Sequence, residues 1–219
     1  MARLLFEKKG NAVWISHLDL MRLFQRAFKR AGLNLKHTQG FNPRPSVSIA
    51  LPLSVGVESG CELLDFELEG ECPTCEEIRQ GLNRALVAGV RVLDVYEEGR
   101  KIRDLALLRC RVWLEYDGGV TEEMLENIRE LFRRESVTVE KKGKNGPTQQ
   151  DIIPMIRSVE ISMADGNTAV MEAVVCCQNP SLNPILLAAA VASYLPQQAP
   201  DHSRCERIEI YDGNEAVFR

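Results

Sequence analysis

The chain has 219 residues, of which 45% are hydrophobic and 26% are charged, and its formal net charge is −4. This composition excludes a disordered chain and predicts enough apolar surface for one large or two small globular domains. No apolar run approaches the roughly 20 residues of a membrane span, and charge returns early at Glu7. We therefore expect a cytoplasmic protein without a membrane contact.

The first half of the chain predicts the order strand, helix, strand, strand, helix, strand. Ser16 is expected to cap the first helix, and Gly32 is expected to end it. Thr74 with Glu77 predicts a capping box on the second helix. The predicted strands are 3–8, 46–53, 63–68 and 90–96, and the predicted helices are 17–31 and 74–88.

The second half repeats this order. The predicted elements are strands at 107–116, 137–140, 156–163, 169–177 and 208–211, and helices at 121–134 and 184–195. Two successive β-α-β-β-α-β units predict an α+β fold, a tandem of two ferredoxin-like (split βαβ) domains with antiparallel sheets and helices on one face. We expect the domains at 1–98 and 99–219. A single larger α+β domain is the alternative.

Basic residues concentrate near the start of the chain. Residues 1–45 carry nine Lys and Arg against two Asp and Glu, and the remaining residues carry eighteen against twenty-nine. Four basic residues of the first helix are spaced three or four apart and form an outward ridge: Arg22, Arg26, Lys29 and Arg30. A solvated face is the ordinary explanation of such a ridge. The near absence of interleaved acid, with Asp19 as the exception, favours an anionic ligand.

The loop after this helix, Thr38–Pro45, combines groups that suit RNA. Arginine binds phosphate as a fork, an aromatic ring stacks on a base, and side-chain amides bond base edges or ribose hydroxyls. The prolines restrict the backbone and preorganise the loop. An ordinary turn in which Phe41 fills the core and Asn42 bonds the backbone is the alternative. The candidate binding residues in this part of the chain are Lys36, Gln39, Phe41, Asn42 and Arg44.

Two histidines adjoin the predicted basic surface. His17 lies in the first turn of the helix, and His37 precedes the loop. A histidine pair beside a basic groove could act as general acid and base in RNA cleavage, or contact phosphate. Packing or capping roles are the commoner case for such residues, and nothing in the sequence places the two rings within reach of each other.

The seven cysteines are an odd number without framework spacing, and they predict reduced thiols. Cys72 and Cys75 form a lone C-x-x-C at a predicted helix N-terminus, which could be a redox pair or half of a zinc site. A structural zinc site normally has a second spaced pair, and the sequence contains none. We expect no metal and no cofactor in this chain.

Three motifs together resemble the radical-SAM-linked protein family. They are Ile-Ser-His-Leu-Asp-Leu-Met-Arg at 15–22, Gln-Gly-Phe-Asn-Pro-Arg-Pro at 39–45, and Ala-Leu-Pro-Leu through Gly-Val-Glu at 50–58. The resemblance covers residues 3–70 strongly and implies a bacterial domain of unknown function. It also implies that the protein is encoded beside, or fused to, a radical S-adenosylmethionine (SAM) enzyme with a cobalamin-binding-type domain. The C-x3-C-x2-C spacing that such an enzyme needs for its Fe–S cluster does not occur in this sequence.

These observations predict a non-catalytic RNA-binding protein that presents structured RNA, ribosomal or transfer RNA, to a separate radical SAM enzyme. The sequence contains no complete catalytic motif. The first alternative is an RNA-processing or RNA-modifying enzyme that uses His17 or His37. The second is a protein-docking module whose basic surface binds the radical SAM partner without nucleic acid.

Overall fold

A computed structural model describes residues 1–70, 73–143 and 146–219 as a mixed α+β fold. The strands are β1 (Ala2–Lys8), β2 (Val47–Ile49), β3 (Val57–Phe66), β4 (Val90–Tyr96), β5 (Leu105–Glu115), β6 (Thr138–Gly143), β7 (Gly146–Asp151), β8 (Ile156–Asp165), β9 (Thr168–Cys176) and β10 (His202–Asp212). Four α-helices occur within these described ranges: α1 (His17–Arg30), α2 (Cys75–Ala85), α3 (Glu122–Phe132) and α4 (Ile185–Tyr194). None of these helices is long and apolar enough to cross a membrane.

The chain divides into two compact units. Met1–Asp104 with Phe218–Arg219 forms the first unit, and Leu105–Val217 forms the second. The sequence-based prediction placed the boundary six residues earlier, after residue 98.

The first unit contains an antiparallel sheet in the order β4–β1–β3–β2. The helices α1 and α2 pack together, and their apolar faces share one core with the sheet. The buried residues of α1 fall on one side of the helix, which leaves its other side exposed. The most deeply buried members of the core are Leu4, Phe6, Phe24, Ala27, Phe28, Leu64 and Leu82.

The second unit contains an antiparallel sheet in the order β10–β5–β9–β8 and a separate β6–β7 hairpin. The helix α3 lies against β8, and α4 lies against β5, β6 and β10. The sequence of α4 is apolar on all sides, as expected for a helix that contacts several elements.

The caps predicted for α1 and α2 are confirmed, and α3 also begins with a side-chain cap. Ser16 accepts a hydrogen bond from the backbone N–H of Asp19, and Thr121 accepts one from the third residue after it. Thr74 and Glu77 form the complete reciprocal capping box. Gly32, at φ +73°, follows the end of α1, and the next N–H bonds back to the carbonyl of Phe28 at 2.9 Å, as in a Schellman ending.

Two strand boundaries in the first unit differ from the prediction. The strand β3 begins at Val57 rather than 63, because Gly56 turns the chain at φ +84° and the following residues pair with the end of β1. The first half of β3 buries the polar residues Ser59 and Glu62. It therefore lacks the apolar–polar alternation from which the other strands were predicted. The strand β2 is only three residues long, shorter than predicted, and the nearby Pro52 has no N–H to extend the ladder.

The second unit also departs from the prediction. The segment Gly146–Asp151 is a strand paired with β6, although its sequence, Gly-Pro-Thr-Gln-Gln-Asp, has no apolar alternation. The strand β10 has 11 residues rather than the predicted four, because it pairs along the whole of β5. Both errors have one physical cause: backbone pairing with a neighbouring strand needs no apolar signal in the sequence.

Substitution of Gly89 tests the packing of the first unit around this residue. Its φ is +85°, and a Cβ at this position would lie 2.4 Å from the carbonyl oxygen of Lys9 and 2.9 Å from Cβ of Ala12. We expect Gly89→Ala to lower the free energy of unfolding by about 1–3 kcal/mol, measured by urea denaturation.

Gly60 provides the matched control, because a Cβ there meets no atom within 4 Å and its φ is not in the left-handed region. Gly60→Ala should leave stability nearly unchanged. Equal loss of stability in the two variants would contradict the steric explanation.

Candidate nucleic-acid interface

The basic residues of α1 lie on its outward side, as the helical spacing predicted. All four are exposed, and the apolar side of the helix is buried in the core. Arg22 Nη1 lies 3.0 Å from Asp19 Oδ1, and both side chains are more than half exposed. Arg26 Nε donates to the carbonyl of Arg22 at 3.2 Å, which holds its guanidinium along the helix. These two arginines therefore lie on an open surface.

Arg30 has a different local role from the other three. Its Nη1 donates to the carbonyl oxygen of Ala85 at 3.1 Å, and Ala85 is the last residue of α2. A cation at a helix C-terminus bonds the unpaired carbonyls and interacts favourably with the helix dipole. Arg30 therefore joins the two helices.

A short backbone ladder holds the base of the predicted recognition loop. Antiparallel bridges join Leu35 to Leu68 and His37 to Pro45. The N–H of Ser46 donates to the carbonyl of Lys36 at 2.7 Å. Within the same ladder, Lys36 N donates to Glu67 O, Glu67 N to Ser46 O and Glu69 N to Asn34 O. The chain on both sides of the loop is therefore fixed to the end of β3.

The tip of the loop projects into solvent. Thr38 N donates to Arg44 O at 2.8 Å, and Arg44 N donates to Thr38 Oγ1 at 3.0 Å, so these two residues close the loop. Gly40 has φ +135°, and the following Phe41 is fully exposed at 108% of its reference area. Phe41 does not fill the core, so this part of the ordinary-turn alternative is wrong. The side chains of Gln39 and Asn42 are also exposed.

A groove joins the helix to the base of the loop. It has a volume of about 450 Å³ and lies between the C-terminal half of α1 and the segment that enters the loop. Its lining includes Arg26 and Lys29 from the helix and His37 and Pro45 from the base of the loop. The residues that line it are Gln25, Arg26, Lys29, Leu33, Asn34, Leu35, His37, Pro45 and Glu69.

Acidic residues reduce the charge of this surface locally. Lys36 Nζ lies 3.2 Å from Glu67 Oε2, and Glu69 lines the groove itself. The pair formed by Lys36 is more than half exposed on the lysine side, and such pairs contribute only about 0–1 kcal/mol. A phosphate could therefore compete for Lys36, whereas Arg26 and Lys29 provide the main positive charge of the groove.

The two histidines lie at opposite ends of α1. His17 is its first residue, with an Nδ1 that is buried and makes no hydrogen bond to the part of the chain that the structure describes. His37 lines the groove beside Arg26 and Lys29, which follow His17 by 9 and 12 residues. At about 1.5 Å of rise per residue, these arginine and lysine positions are roughly 14–18 Å from His17 along the helix. The structure does not bring the two rings to one reacting bond.

The cysteines do not gather into a metal site among the described residues. No group of three or more His, Cys, Asp or Glu side chains in residues 1–70, 73–143 and 146–219 could hold a metal ion. Cys75 is the first residue of α2 and is partly exposed, and its predicted partner Cys72 lies outside the described residues. Burial raises the pKa of Cys205 to about 12 and that of Cys177 to about 11, and it raises the pKa of Cys110 as well.

Comparison with known proteins identifies similar sequences and folds. The family model described as "Uncharacterized protein conserved in bacteria (DUF2344)" matches residues 2–184. No curated protein matches the chain. A chain in the crystal structure of a Cbf5-Nop10-Gar1 complex is similar with a TM-score of 0.51 and 10% identity, over 95% of this chain and 48% of that chain. This likeness concerns the mixed α+β fold.

Two further structures are similar at lower TM-scores. The archaeal box H/ACA sRNP Nop10-Cbf5 complex gives 0.47 at 11% identity, covering 94% of this chain and 46% of that chain. An H/ACA RNP bound to a substrate RNA containing 2'-deoxyuridine gives 0.48 at 10% identity, covering 98% and 48%. The present chain thus spans about half the length of each of these three.

The buried thiols lead to a prediction about alkylation. Because the thiolate is the reactive form, Cys110 and Cys205 should react with iodoacetamide at pH 8 roughly tenfold or more slowly than Cys75 in the folded protein. Peptide mass spectrometry of the labelled chain measures the three rates. Unfolding in urea is the control and should make the rates similar. Equal rates in the folded protein would contradict the burial.

Proposed function

We propose an RNA-binding function for this chain, which belongs to the bacterial family described as an uncharacterized conserved protein (DUF2344). In this proposal it is a non-catalytic accessory protein that presents structured RNA, ribosomal or transfer RNA, to a separate radical SAM enzyme. The observation that carries the proposal is the groove in which Arg26 and Lys29 face the base of a loop that exposes Phe41.

The chemistry of this surface supports RNA over a small anion. A small anion needs enclosing donors, whereas this groove is open and is lined by the base of a loop that exposes an aromatic ring at its tip. Arg26 and Lys29 neutralise phosphates, and Lys36 joins them when its exposed pair with Glu67 opens. Phe41 stacks on an unpaired base. Gln39, Asn42 and Arg44 then position the strand at the loop.

The separation of the histidines supports a binding role over cleavage. General acid–base cleavage needs two groups within hydrogen-bond reach of one phosphodiester, and His17 lies at the other end of α1 from His37. His37 beside Arg26 and Lys29 is suited to contact phosphate. The radical SAM partner follows from the sequence resemblance, which assigns the radical chemistry to a separate polypeptide or domain.

We also propose that each unit is a ferredoxin-like module. In the first unit the element order β1-α1-β2-β3-α2-β4 accompanies the sheet order β4–β1–β3–β2. The second unit has the same order if the β6–β7 hairpin is treated as an insertion after α3. Split βαβ domains have this arrangement, and it supports a tandem with boundaries near Asp104.

Charge reversal in the groove tests the binding proposal. We expect Arg26→Glu and Lys29→Glu each to weaken RNA binding by about tenfold or more at low salt, since each removes a phosphate contact and adds repulsion. The slope of log K against log salt should also fall by about 0.7 per lost contact. Fluorescence anisotropy with a labelled RNA stem-loop across a salt series measures both quantities.

Arg91→Glu is the matched control for these variants. It causes the same change in net charge, and Arg91 pairs with Glu7 at 2.8 Å on the sheet face opposite the helices, because the neighbouring Phe6 lies in the core below α1. RNA binding should be unchanged in this variant. Equal weakening in Arg26→Glu and Arg91→Glu would reject a local site and indicate only a general charge effect.

The second component of the proposal is the partner enzyme. On co-expression with a radical SAM protein of the kind that the resemblance implies, we expect this chain to co-purify with it when RNA is present. We expect nuclease treatment or Arg26→Glu to reduce recovery of the complex. A complex that survives both would instead support the protein-docking alternative. Absence of any complex, with RNA binding intact, would reject the partner and leave the RNA-binding role.

A further inference from the structure

The outward face of α1 continues beyond the groove toward the start of the helix. Arg26 and Arg22 are followed on the same face by Leu18, since positions four apart lie one above the other on a helix. The side chain of Leu18 is 66% exposed. Just before the helix, at the end of a short 3-10 helix that spans Gly10–Trp14, Trp14 is 71% exposed.

Trp14 is exposed, and Gly56 lies beside its ring. Gly56 N donates to the carbonyl of Val13 at 2.9 Å, which brings this glycine beside the tryptophan. A Cβ on Gly56 would lie 3.6 Å from Cζ3 of the indole ring, so one side of the ring faces Gly56. A large aromatic side chain that packs on one side and faces water on the other is a preformed stacking surface.

Two exposed aromatic rings therefore lie near opposite ends of α1. Phe41 is in the loop whose base borders the groove at the C-terminal half, and Trp14 is at the N-terminal end. Between them, the exposed face carries Arg22, Arg26 and Lys29. Cations that neutralise a backbone, interleaved with rings on which bases stack, are the means by which proteins bind single strands. A flat apolar protein interface would instead exclude charge from its centre.

We propose that the RNA bound in the groove continues as a single strand along α1 and stacks on Trp14, a second aromatic platform. This inference rests on the proposed function and specifies its substrate: an unpaired segment of a structured RNA. The 14 residues of α1 span about 20 Å at 1.5 Å per residue. We call the exposed face of α1 between the groove and Trp14 the track. At about 3.4 Å per stacked nucleotide, the track accommodates roughly six nucleotides.

RNA oligonucleotides of two lengths distinguish binding at Trp14 from binding at Phe41. The probes are fluorescein-labelled oligouridylates of about four and about twelve nucleotides, within the site sizes typical of single-strand binding. The longer probe can reach both rings, whereas the shorter one can occupy only the groove with the adjoining loop that carries Phe41. Phe41→Ala should therefore weaken the binding of both probes. Trp14→Ala should weaken the binding of the longer probe alone, by about 5–150-fold. Trp14→Phe, which keeps a ring, should recover most of the affinity.

Intrinsic fluorescence reports Trp14 directly. The chain has two tryptophans, and Trp113→Phe leaves Trp14 as the single emitter while keeping an aromatic ring near Arg204. In this background the longer probe, unlabelled, should quench the emission and the shorter probe should not. Urea midpoints equal to that of the wild-type chain, for every variant, show that folding is unchanged.

The outcomes distinguish this inference from the proposed function. Suppose that the longer probe binds without quenching Trp14, and that the Trp14→Ala variant binds it as tightly as the wild type does. The proposed path of the strand along α1 is then wrong, whereas RNA binding in the groove is still supported. If a duplex of the longer probe with its complement quenches Trp14 equally, the single-strand specificity is wrong. If neither probe nor any stem-loop binds, the proposed function fails and the inference fails with it.

Discussion

The candidate interface depends on the backbone ladder that connects the two sides of the loop to the end of β3. Ser46 lies at its centre, because its N–H donates to Lys36 while its carbonyl accepts from Glu67. Each of these bonds is individually modest, about 0.5–1.5 kcal/mol net, but together they fix both ends of an eight-residue loop. Fixing the ends reduces the entropy that the loop loses on binding. The side chains at the tip are then exposed to solvent on a loop whose two ends are fixed.

The cations of α1 differ in the contacts that they make. Arg30 bonds the carbonyl of Ala85, the last residue of α2, and its removal would take this partner from that carbonyl. Arg22 is engaged with Asp19, but both groups are exposed, and a pair of this kind is easily exchanged for a phosphate. Arg26 and Lys29 face the groove. A basic ridge on a helical wheel therefore does not identify which of its members bind a ligand.

Local signals in the sequence predicted the helices well. Ser16, Thr74 and Thr121 marked the starts of their helices, and Gly32 marked the end of α1, because caps act through residues close in the chain. Strand limits were predicted less well. The segments 57–62, 146–151 and 202–207 form strands without an apolar alternation, since their neighbours in the sheet supply the hydrogen bonds. The strands that pair with 57–62 and 202–207 are distant in sequence, and the strand that pairs with 146–151 immediately precedes it, but neither kind of pairing leaves an apolar pattern in the paired segment.

The sequence alone determined the basic surface, the exposed side of α1 and the composition of the loop, because helical spacing and charge are properties of consecutive residues. It left open whether Phe41 was a core residue or a surface residue. Only the tertiary structure decided this, by closing the loop between Thr38 and Arg44 and directing the ring outward. It likewise separated His17 from His37 and placed Trp14 beside Gly56. Trp14 and Gly56 are far apart in the chain, and the outward position of Phe41 depends on the ladder that joins its loop to the end of β3, so local preference does not determine these relations.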